Sequence, residues 1–183
     1  MSANSRWTLG RVLLLAARIA LAVIFLAAAY GKLRPQNAVP YSLSSLKITP
    51  ASLGLSLTFF AMEVDSYKML PAWAVSPFAH TLPWIELALG ILLLSGLALR
   101  YVAAAATVLL AIFWSVVIRS YALHLAINCG CFGPNEKLDA WTIVRDGLMF
   151  ALGVALTVGA FLTHRRSAAR ASALPQAQSS SAQ

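Results

Sequence analysis

Four long apolar runs dominate the sequence and determine the solvent in which the chain can fold. They lie at about residues 11–33, 80–99, 102–123 and 141–163. A bilayer core of about 30 Å needs roughly 20 apolar residues in an α-helix, and each run has that length. A helix also satisfies its own backbone hydrogen bonds, as lipid requires. The sequence therefore predicts an all-α membrane protein built on a bundle of four transmembrane helices.

The composition agrees with a lipid environment. Hydrophobic residues make up 60% of the chain and charged residues 11%, whereas soluble domains have about 25% charged residues. The net charge of +8 could indicate a nucleic-acid partner, but the basic residues are scattered or lie beside the ends of the runs and form no basic helix face. We interpret the excess as membrane topology, and we predict lipid contact and no nucleic-acid partner.

The first run has a competing interpretation as a signal peptide. Basic residues precede the run, and the alanines at 27–29 resemble a small-residue cleavage site. However, the run is longer than a usual signal-peptide core, and Arg18 interrupts its interior. We therefore expect the run to be retained as the first span.

Lysine and arginine in the short flanks predict the orientation. The flanks on the side of the termini carry basic residues and no acidic ones: Arg6, Arg11, Arg100, Arg165, Arg166 and Arg170. On the opposite side, basic residues are spread over a greater length and mixed with acidic residues. We expect a multi-pass protein of the bacterial cytoplasmic (inner) membrane with both termini in the cytoplasm.

The connections between the runs differ greatly in length. Only Arg100 and Tyr101 separate the second run from the third, which predicts a tight turn between antiparallel neighbours. The first two runs are separated by 34–79, which begins with proline and polar residues typical of a loop. Residues 51–70 then have apolar positions at near-helical spacing. They favour an extra extracytoplasmic helix between spans one and two, with a loop as the alternative.

The chain should form one four-span domain over residues 1–166. The remaining residues, 167–183, are small and polar. Such a segment buries little apolar area, so we predict a disordered cytoplasmic tail.

The two cysteines of the chain, Cys129 and Cys131, lie in the connection between the last two runs. At this spacing they can close a very small disulfide ring, and Gly130 supplies the backbone freedom that the ring needs. The stabilisation from such a short loop is small, so a purely structural role explains the pair poorly. Strained, exposed disulfides are the labile kind, which favours a thiol-disulfide oxidoreductase with an extracytoplasmic redox pair.

Two further features of this connection bear on its chemistry. Asn135 or Asp139 could cap the fourth span, whose positive end would then lie near the sulfurs. His124, with His80 as a further candidate, could join the cysteines as metal ligands. The spacing matches no strong zinc signature, and we expect no metal site.

Ionisable residues gather in the outer half of the spans. Glu86, Arg119 and Arg145 lie within roughly 10 Å of the outer ends, and Lys32 and Asp146 share this layer. Charges at membrane depth are costly unless they are paired or reach water. We expect Glu86 to be buried in an ion pair with Arg145 or Arg119. The alternative for Lys32 and the arginines is that their side chains extend to the interface.

Five sequence motifs together resemble the MauE branch of the DoxX-like family of four-span membrane proteins, named for methylamine utilisation. They are "CGCFG" at 129–133, "LPWIELALGILLLSG" at 82–96 with Glu86, "YKMLP" at 67–71, "GKL" with Lys32, and Arg145 early in the last run. The resemblance covers residues 18 to about 161. Ala29, Asp146 and the long first outer connection depart from the family pattern.

The resemblance implies a redox-associated membrane protein. In methylamine-utilising bacteria the family is linked to maturation of the disulfide-rich small subunit of methylamine dehydrogenase, together with a thioredoxin-like partner. We therefore predict Cys129 and Cys131 as the redox pair. The supporting residues are Gly130, Phe132, Gly133, Glu86, Arg145, Arg119 and Lys32. A quinone among the helices could accept the electrons, although no residue specifies one.

Two other functions fit the same sequence. The chain could be a scaffold subunit that holds a partner at the membrane, with the cysteines incidental. It could also be a small transporter built on Glu86 and the arginines, although it lacks the inverted repeat and broken helices of many transporters. Small residues such as Gly90, Ser95 and Gly96 permit close helix packing within or between chains, which leaves the oligomeric state open.

Overall fold

The computed structural model describes residues 3–33, 50–124 and 138–180, and over these ranges the regular secondary structure is entirely α-helical. The helices are α1 (Ala3–Leu33), α2 (Pro50–Ser66), α3 (Ala72–Ser95), α4 (Leu99–Ala122) and α5 (Ala140–Ser180). Four of them contain stretches that are long and apolar enough to cross a membrane: 12–33, 72–95, 99–122 and 140–165. The prediction of an all-α multi-pass membrane protein is confirmed.

The first and third helices run antiparallel along most of their length. Arg18 of α1 lies beside Gly96 at the end of α3, and Lys32 at the other end of α1 contacts Glu86. Their close approach depends on Gly90, where an added Cβ would lie 2.8 Å from Cγ of Leu26. The α1–α3 pair therefore forms one tightly packed half of the bundle.

The fourth and fifth helices form a second antiparallel pair. The hydroxyls of Thr107 and Thr157 are 2.9 Å apart, and the indole nitrogen of Trp114 donates to the carbonyl of Ile143 at 3.1 Å. Gly147 leaves room for that indole, because an added Cβ would lie 3.2 Å from it. With α3 and α4 joined by a short turn, the four spans alternate in direction, and α1 begins at the end of the bundle where the span of α5 finishes.

The core lies where these pairs meet. Leu21, Leu93 and Leu156, from α1, α3 and α5, are fully buried, and α4 contributes Ala103 and Ala106. Many large apolar side chains on the outer faces are exposed, as expected where lipid replaces water as the solvent.

The turn between α3 and α4 lies earlier than the sequence predicted. Arg100 and Tyr101 belong to the first turn of α4, and Gly96 to Ala98 form the connection. Gly96 has φ 73° and its N–H donates to the carbonyl of Leu92 at 3.0 Å, a left-handed helix end that favours glycine. Hydropathy does not reveal this stop, because the residues around it are apolar.

The second span also begins earlier than predicted. Helix α3 starts at Ala72 instead of near residue 80, directly after Pro71, which has φ −65° and ψ 148°. A proline at this position is suited to the start of a helix, because the first N–H groups have no partner within the helix. Ser76 and Pro77 in the first two turns, followed by His80 and Thr81, hid the start from a hydropathy reading.

Helix α2 confirms the predicted extra helix between the first two spans. Its Phe60 packs with Ala79 and Leu82 of α3, which fixes α2 against the bundle. The side of the membrane on which α2 lies stays a prediction.

Helix α5 extends into the C-terminal segment, and the disorder predicted for residues 167–183 stays a prediction. Helix α5 continues past its apolar stretch to Ser180. The segment contains alanines at 168, 169, 171, 173 and 177. Alanine has the highest helix propensity, and extending an existing helix requires no new nucleation.

Candidate functional site

A buried ion pair between Lys32 and Glu86 is the central feature of the candidate site. Lys32 is the second-last residue of α1, and helical side chains tilt toward the N-terminus of their own helix. On antiparallel helices the two side chains therefore tilt toward each other. The Lys32 Nζ lies 2.9 Å from both carboxylate oxygens of Glu86. Lys32 is 5% exposed and Glu86 1%, so each charge is compensated mainly by the other.

This pair corrects the predicted partners of Glu86. The prediction that Glu86 is buried is confirmed, but its partner is neither Arg145 nor Arg119. Arg119 is exposed near the end of α4, and the Nε of Arg145 donates to Oδ1 of Asp146 at 3.0 Å. The alternative that Lys32 extends to the interface is also wrong, because Lys32 points into the bundle.

A third ionisable side chain, Asp146, borders the same place. Lys32, Glu86 and Asp146 line a cavity of about 40 Å³ together with apolar residues of α1, α4 and α5. A cavity needs only about 10–15 Å³ of such volume to hold one water molecule. Residues from α1, α3 and α5 thus bring one cation and two carboxylates around a space that could hold water.

A second and larger cavity of about 260 Å³ lies between α2 and helices α1, α3 and α4. Its walls are the residues Lys32, Phe60, Val64, Tyr67, Met69, Leu70, Phe78, Leu82, Ile112, Phe113, Val116 and Val117. Lys32 and Phe113 border both cavities. The Lys32 ammonium also lies 5.4 Å from the centroid of the Phe60 ring, within the range of a cation–π contact.

Helix α2 brings one more acidic group into the field of Lys32. Burial raises the pKa of the Glu63 carboxyl, and the positive charge of Lys32 partly opposes this rise. Glu63 therefore ionises less readily than a carboxyl in water.

The start of α5 is capped by Asp139. Its Oδ1 accepts hydrogen bonds from the backbone N–H of Thr142 at 2.9 Å and from the Thr142 hydroxyl at 3.0 Å. These bonds, the backbone one foremost, lower the pKa of Asp139. Asp139 was one of the two predicted caps, and the other, Asn135, lies outside the described residues.

The predicted redox residues also lie outside the described residues: Cys129, Gly130, Cys131, Phe132 and Gly133. Their segment connects α4 to α5, and their roles stay predictions. Within the ranges that the structure describes, no three His, Asp or Glu side chains are grouped closely enough to hold a metal ion.

Sequence reasoning missed the larger cavity and the Lys32–Glu86 pairing. The aromatic residues around the cavity, such as Phe60 and Phe113, occur in apolar helices where nothing in the sequence distinguishes a wall from the core. The sequence did contain one signal for the pair, which is the depth of the two residues in the membrane. Lys32 at the end of the first span and Glu86 inside the antiparallel second span lie at similar depths.

A comparison with family models decides the relationship. The model described as "Methylamine utilisation protein MauE" matches residues 10–159. The chain belongs to the MauE family. The match includes the Lys32–Glu86 pair, Asp146 and both cysteines, and it confirms the resemblance. The wider DoxX-like grouping stays a prediction.

Individual MauE proteins show the same relationship. The chain is 32% identical to the MauE protein of Methylorubrum extorquens over 114 residues. This match covers 56% of this chain and 61% of the relative. It is 28% identical to the MauE protein of Paracoccus denitrificans over 151 residues. This match covers 81% of this chain and 70% of the relative. The first match therefore spans less than two thirds of that MauE protein's length. No solved structure matches the chain.

Proposed function

We propose that this MauE-family protein is a membrane thiol-disulfide oxidoreductase that acts in methylamine utilisation. The observation that carries the proposal is the CxC pair: the only two cysteines of the chain, Cys129 and Cys131, are separated by one glycine and lie within the region that matches the MauE family. The substrate is the dithiol of an extracytoplasmic client or of a thioredoxin-like protein.

The exchange proceeds through a mixed disulfide. A client thiolate attacks one sulfur of the Cys129–Cys131 disulfide, and the other sulfur leaves as a thiolate. The second client thiol then attacks the mixed disulfide and releases an oxidised client. Two electrons pass to the cysteine pair, which becomes a dithiol and takes up the two protons of the client thiols. The next cycle requires a two-electron acceptor within reach of the membrane.

The buried charges support this chemistry by their position. Asp146 follows the Asp139 cap by about 10 Å of helix rise, and it shares a cavity with Lys32 and Glu86. Groups able to exchange protons thus lie about two helical turns below the start of α5, into which the cysteine segment leads.

We further propose that the protein lies in the bacterial inner membrane with cytoplasmic termini and an extracytoplasmic cysteine segment. The basic flanks of the terminal side support this orientation. The client would be of the methylamine dehydrogenase small-subunit type, which family membership favours.

Trapping the mixed disulfide tests the proposal. In a Cys131→Ser or a Cys129→Ser variant the remaining thiolate can attack the disulfide of an oxidised client or thioredoxin-like protein. The covalent adduct should accumulate on non-reducing gels, because the second cysteine of this chain, which would attack the adduct and release the reduced client, is missing. The Cys129→Ser, Cys131→Ser double variant is the matched control and should form none.

Mass measurement after alkylation provides an independent readout. The wild type should accept alkylating reagent at both cysteines only after reduction. Full growth on methylamine with the double variant would overturn the proposal and favour a scaffold. Substrate flux in proteoliposomes that is lost in Glu86→Gln but survives in the double variant would favour a transporter.

A further inference from the structure

We propose that the 260 Å³ cavity beside Lys32 binds the ring of an isoprenoid quinone, which is the oxidant of the cysteine pair. The oxidant role rests on the proposed function, whereas the binding site can be tested without it. The cavity lies between α2 and the bundle, and we call it the α2 cavity.

The walls of the α2 cavity form a buried floor and an open rim. Phe60, Leu82 and Val117 on the floor are 5%, 3% and 2% exposed, whereas Met69 and Ile112 on the rim are 43% and 50% exposed. Ile112 lies near the middle of the apolar stretch of α4, 99–122. The opening is therefore at membrane depth, where a ligand with a long hydrocarbon tail can leave the tail in lipid.

The size and the aromatic walls of the cavity suit a single planar ring. Its volume of about 260 Å³ is slightly below the roughly 300–1,000 Å³ of pockets for drug-sized ligands. Phe60, Tyr67, Phe78 and Phe113 supply ring faces and edges against which a flat headgroup can pack.

The charge of the site favours a neutral ligand that carries hydrogen-bond acceptors. Lys32 is a buried cation on the wall, but Glu86 already compensates its charge. An anion would therefore gain little net attraction in the cavity. A quinone is neutral when it binds, and after taking up two electrons and two protons it leaves as a neutral quinol, so neither form requires a net positive charge on the cavity wall.

The reaction balances with the groups that line the two cavities. Oxidation of the Cys129–Cys131 dithiol to a disulfide releases two electrons and two protons, and reduction of a quinone to a quinol consumes both. The protons must reach an apolar cavity. Lys32 borders the α2 cavity and also the small cavity with Glu86 and Asp146, so these side chains connect the ring to a polar, water-sized space.

Binding can be tested without redox chemistry. The full-length Cys129→Ser, Cys131→Ser protein in lipid nanodiscs is titrated calorimetrically with decylubiquinone, and empty nanodiscs are the reference. We expect saturable binding that Val116→Trp weakens by about tenfold or more, because the larger side chain fills part of the cavity. Ile118→Trp on the same helix, at a position that does not line the cavity, should bind like the parent.

The binding experiment has clear contrary outcomes. Heat no greater than that of empty nanodiscs would overturn the site. Equal binding by Val116→Trp would also overturn it, since the quinone would then lie elsewhere on the lipid-facing surface. A phospholipid found in the cavity by native mass spectrometry and not displaced by decylubiquinone would identify a lipid site and overturn the proposal.

A second experiment separates this inference from the proposed function. The dithiol form of the cysteine-intact protein is mixed with decylubiquinone, and quinol formation is followed by absorbance. Val116→Trp should slow it and Ile118→Trp should not. Cysteines that exchange with clients without reducing the quinone would overturn the inference and leave the proposed function intact. Quinone bound in the cavity of a protein whose cysteines never exchange would overturn the proposed function and leave the site intact.

Discussion

At the scale of single residues, Lys32 and Glu86 show how a membrane protein accommodates charge without water. Both side chains are almost completely buried and form two contacts of 2.9 Å. Removing Lys32 leaves the Glu86 carboxylate as an uncompensated buried charge, whereas removing both leaves neutral groups of similar size. The pair should therefore behave as a unit in mutational tests.

Lys32→Met alone should lower the free energy of unfolding by about 3–5 kcal/mol, because it leaves Glu86 ionised and unpaired or forces it to take up a proton. Adding Glu86→Gln should recover most of this loss. Reversible unfolding in mixed detergent and SDS measures both variants. A double variant that is as unstable as the sum of the two single variants would show that the residues do not interact.

Asp139 gives a pH-dependent prediction outside the spans. Its pKa is lowered below the ordinary 3.8 by hydrogen bonds from Thr142. The ionised carboxylate therefore stabilises the folded protein above pH about 3.8, and this stabilisation is lost as the pH falls through the pKa of Asp139 in the folded state. Asp139→Ala should melt earlier than the wild type at pH 7, and the difference should shrink below pH about 3.8.

Asp139→Asn is the matched control for this prediction. Asparagine also caps helices but does not titrate. The difference in melting temperature between Asp139→Asn and Asp139→Ala should therefore stay the same as the pH is lowered. Thermal melts at neutral and acidic pH measure all three proteins. A difference between wild type and Asp139→Ala that stays constant over this pH range would contradict the assignment of the cap.

At the scale of helices, the end of α3 supplies the hydrogen-bond partners of Arg18, a charged residue inside the apolar stretch of α1. The Arg18 guanidinium donates to the carbonyls of Leu93 and Leu94, which belong to the last turn of α3 and have no partner farther along that helix. The positive charge also faces the negative end of the helix. Gly96 lies directly under the guanidinium, where a Cβ would be 2.7 Å from its nitrogens.

Gly96→Ala should destabilise the protein by about 1–3 kcal/mol, because alanine is strained at positive φ and its methyl group would displace Arg18. The matched control is Gly54→Ala in α2, where an added Cβ meets nothing within 4 Å. This control should be neutral or stabilising by about 0.5–1 kcal/mol. Thermal melting in mild detergent distinguishes them, and equal melting temperatures would contradict the role of Gly96.

The helices were predictable from sequence because their cause is local. Length and hydropathy suffice to locate four spans, and the near-helical spacing of residues 51–70 sufficed for α2. The turn at Gly96 and the start at Ala72 were misplaced, because a left-handed glycine and a favourable proline act through backbone geometry that hydropathy does not register.

The site was only partly predictable because its contacts join distant parts of the chain. That Glu86 would be buried follows from the cost of a charge in lipid. Its choice of Lys32 depends on α1 packing against α3, which no property of either helix alone specifies. The α2 cavity depends in the same way on how α2 lies across three other helices.

At the scale of the whole molecule, the alternating spans predict which segments share a side of the membrane. Single cysteines can be introduced into the Cys129→Ser, Cys131→Ser background. In intact spheroplasts, Ser44→Cys and Asn135→Cys should react with an impermeant maleimide. Ser5→Cys and Ser179→Cys should react only after lysis, since both termini should be cytoplasmic.

The labelling patterns have distinct meanings. The reverse pattern would leave the four-span bundle intact but place the cysteine segment in the cytoplasm, where disulfides are rare, and the proposed function would fall. Labelling of Ser5→Cys and Ser179→Cys on opposite sides would contradict the alternating bundle itself.

The ion pair between Lys32 and Glu86 also has a consequence for how the protein is inserted into the membrane. Glu86 follows Lys32 by 54 residues, so the ribosome delivers the lysine to the translocon well before its counter-ion exists. An unpaired lysine raises the free energy of membrane insertion by up to about 2.5–3.5 kcal/mol at the centre of a helix. Because Lys32 is at the end of α1, its ammonium group can lie among the lipid headgroups during insertion. We therefore expect the Lys32–Glu86 pair to form only after α3 has inserted, as a late step of maturation.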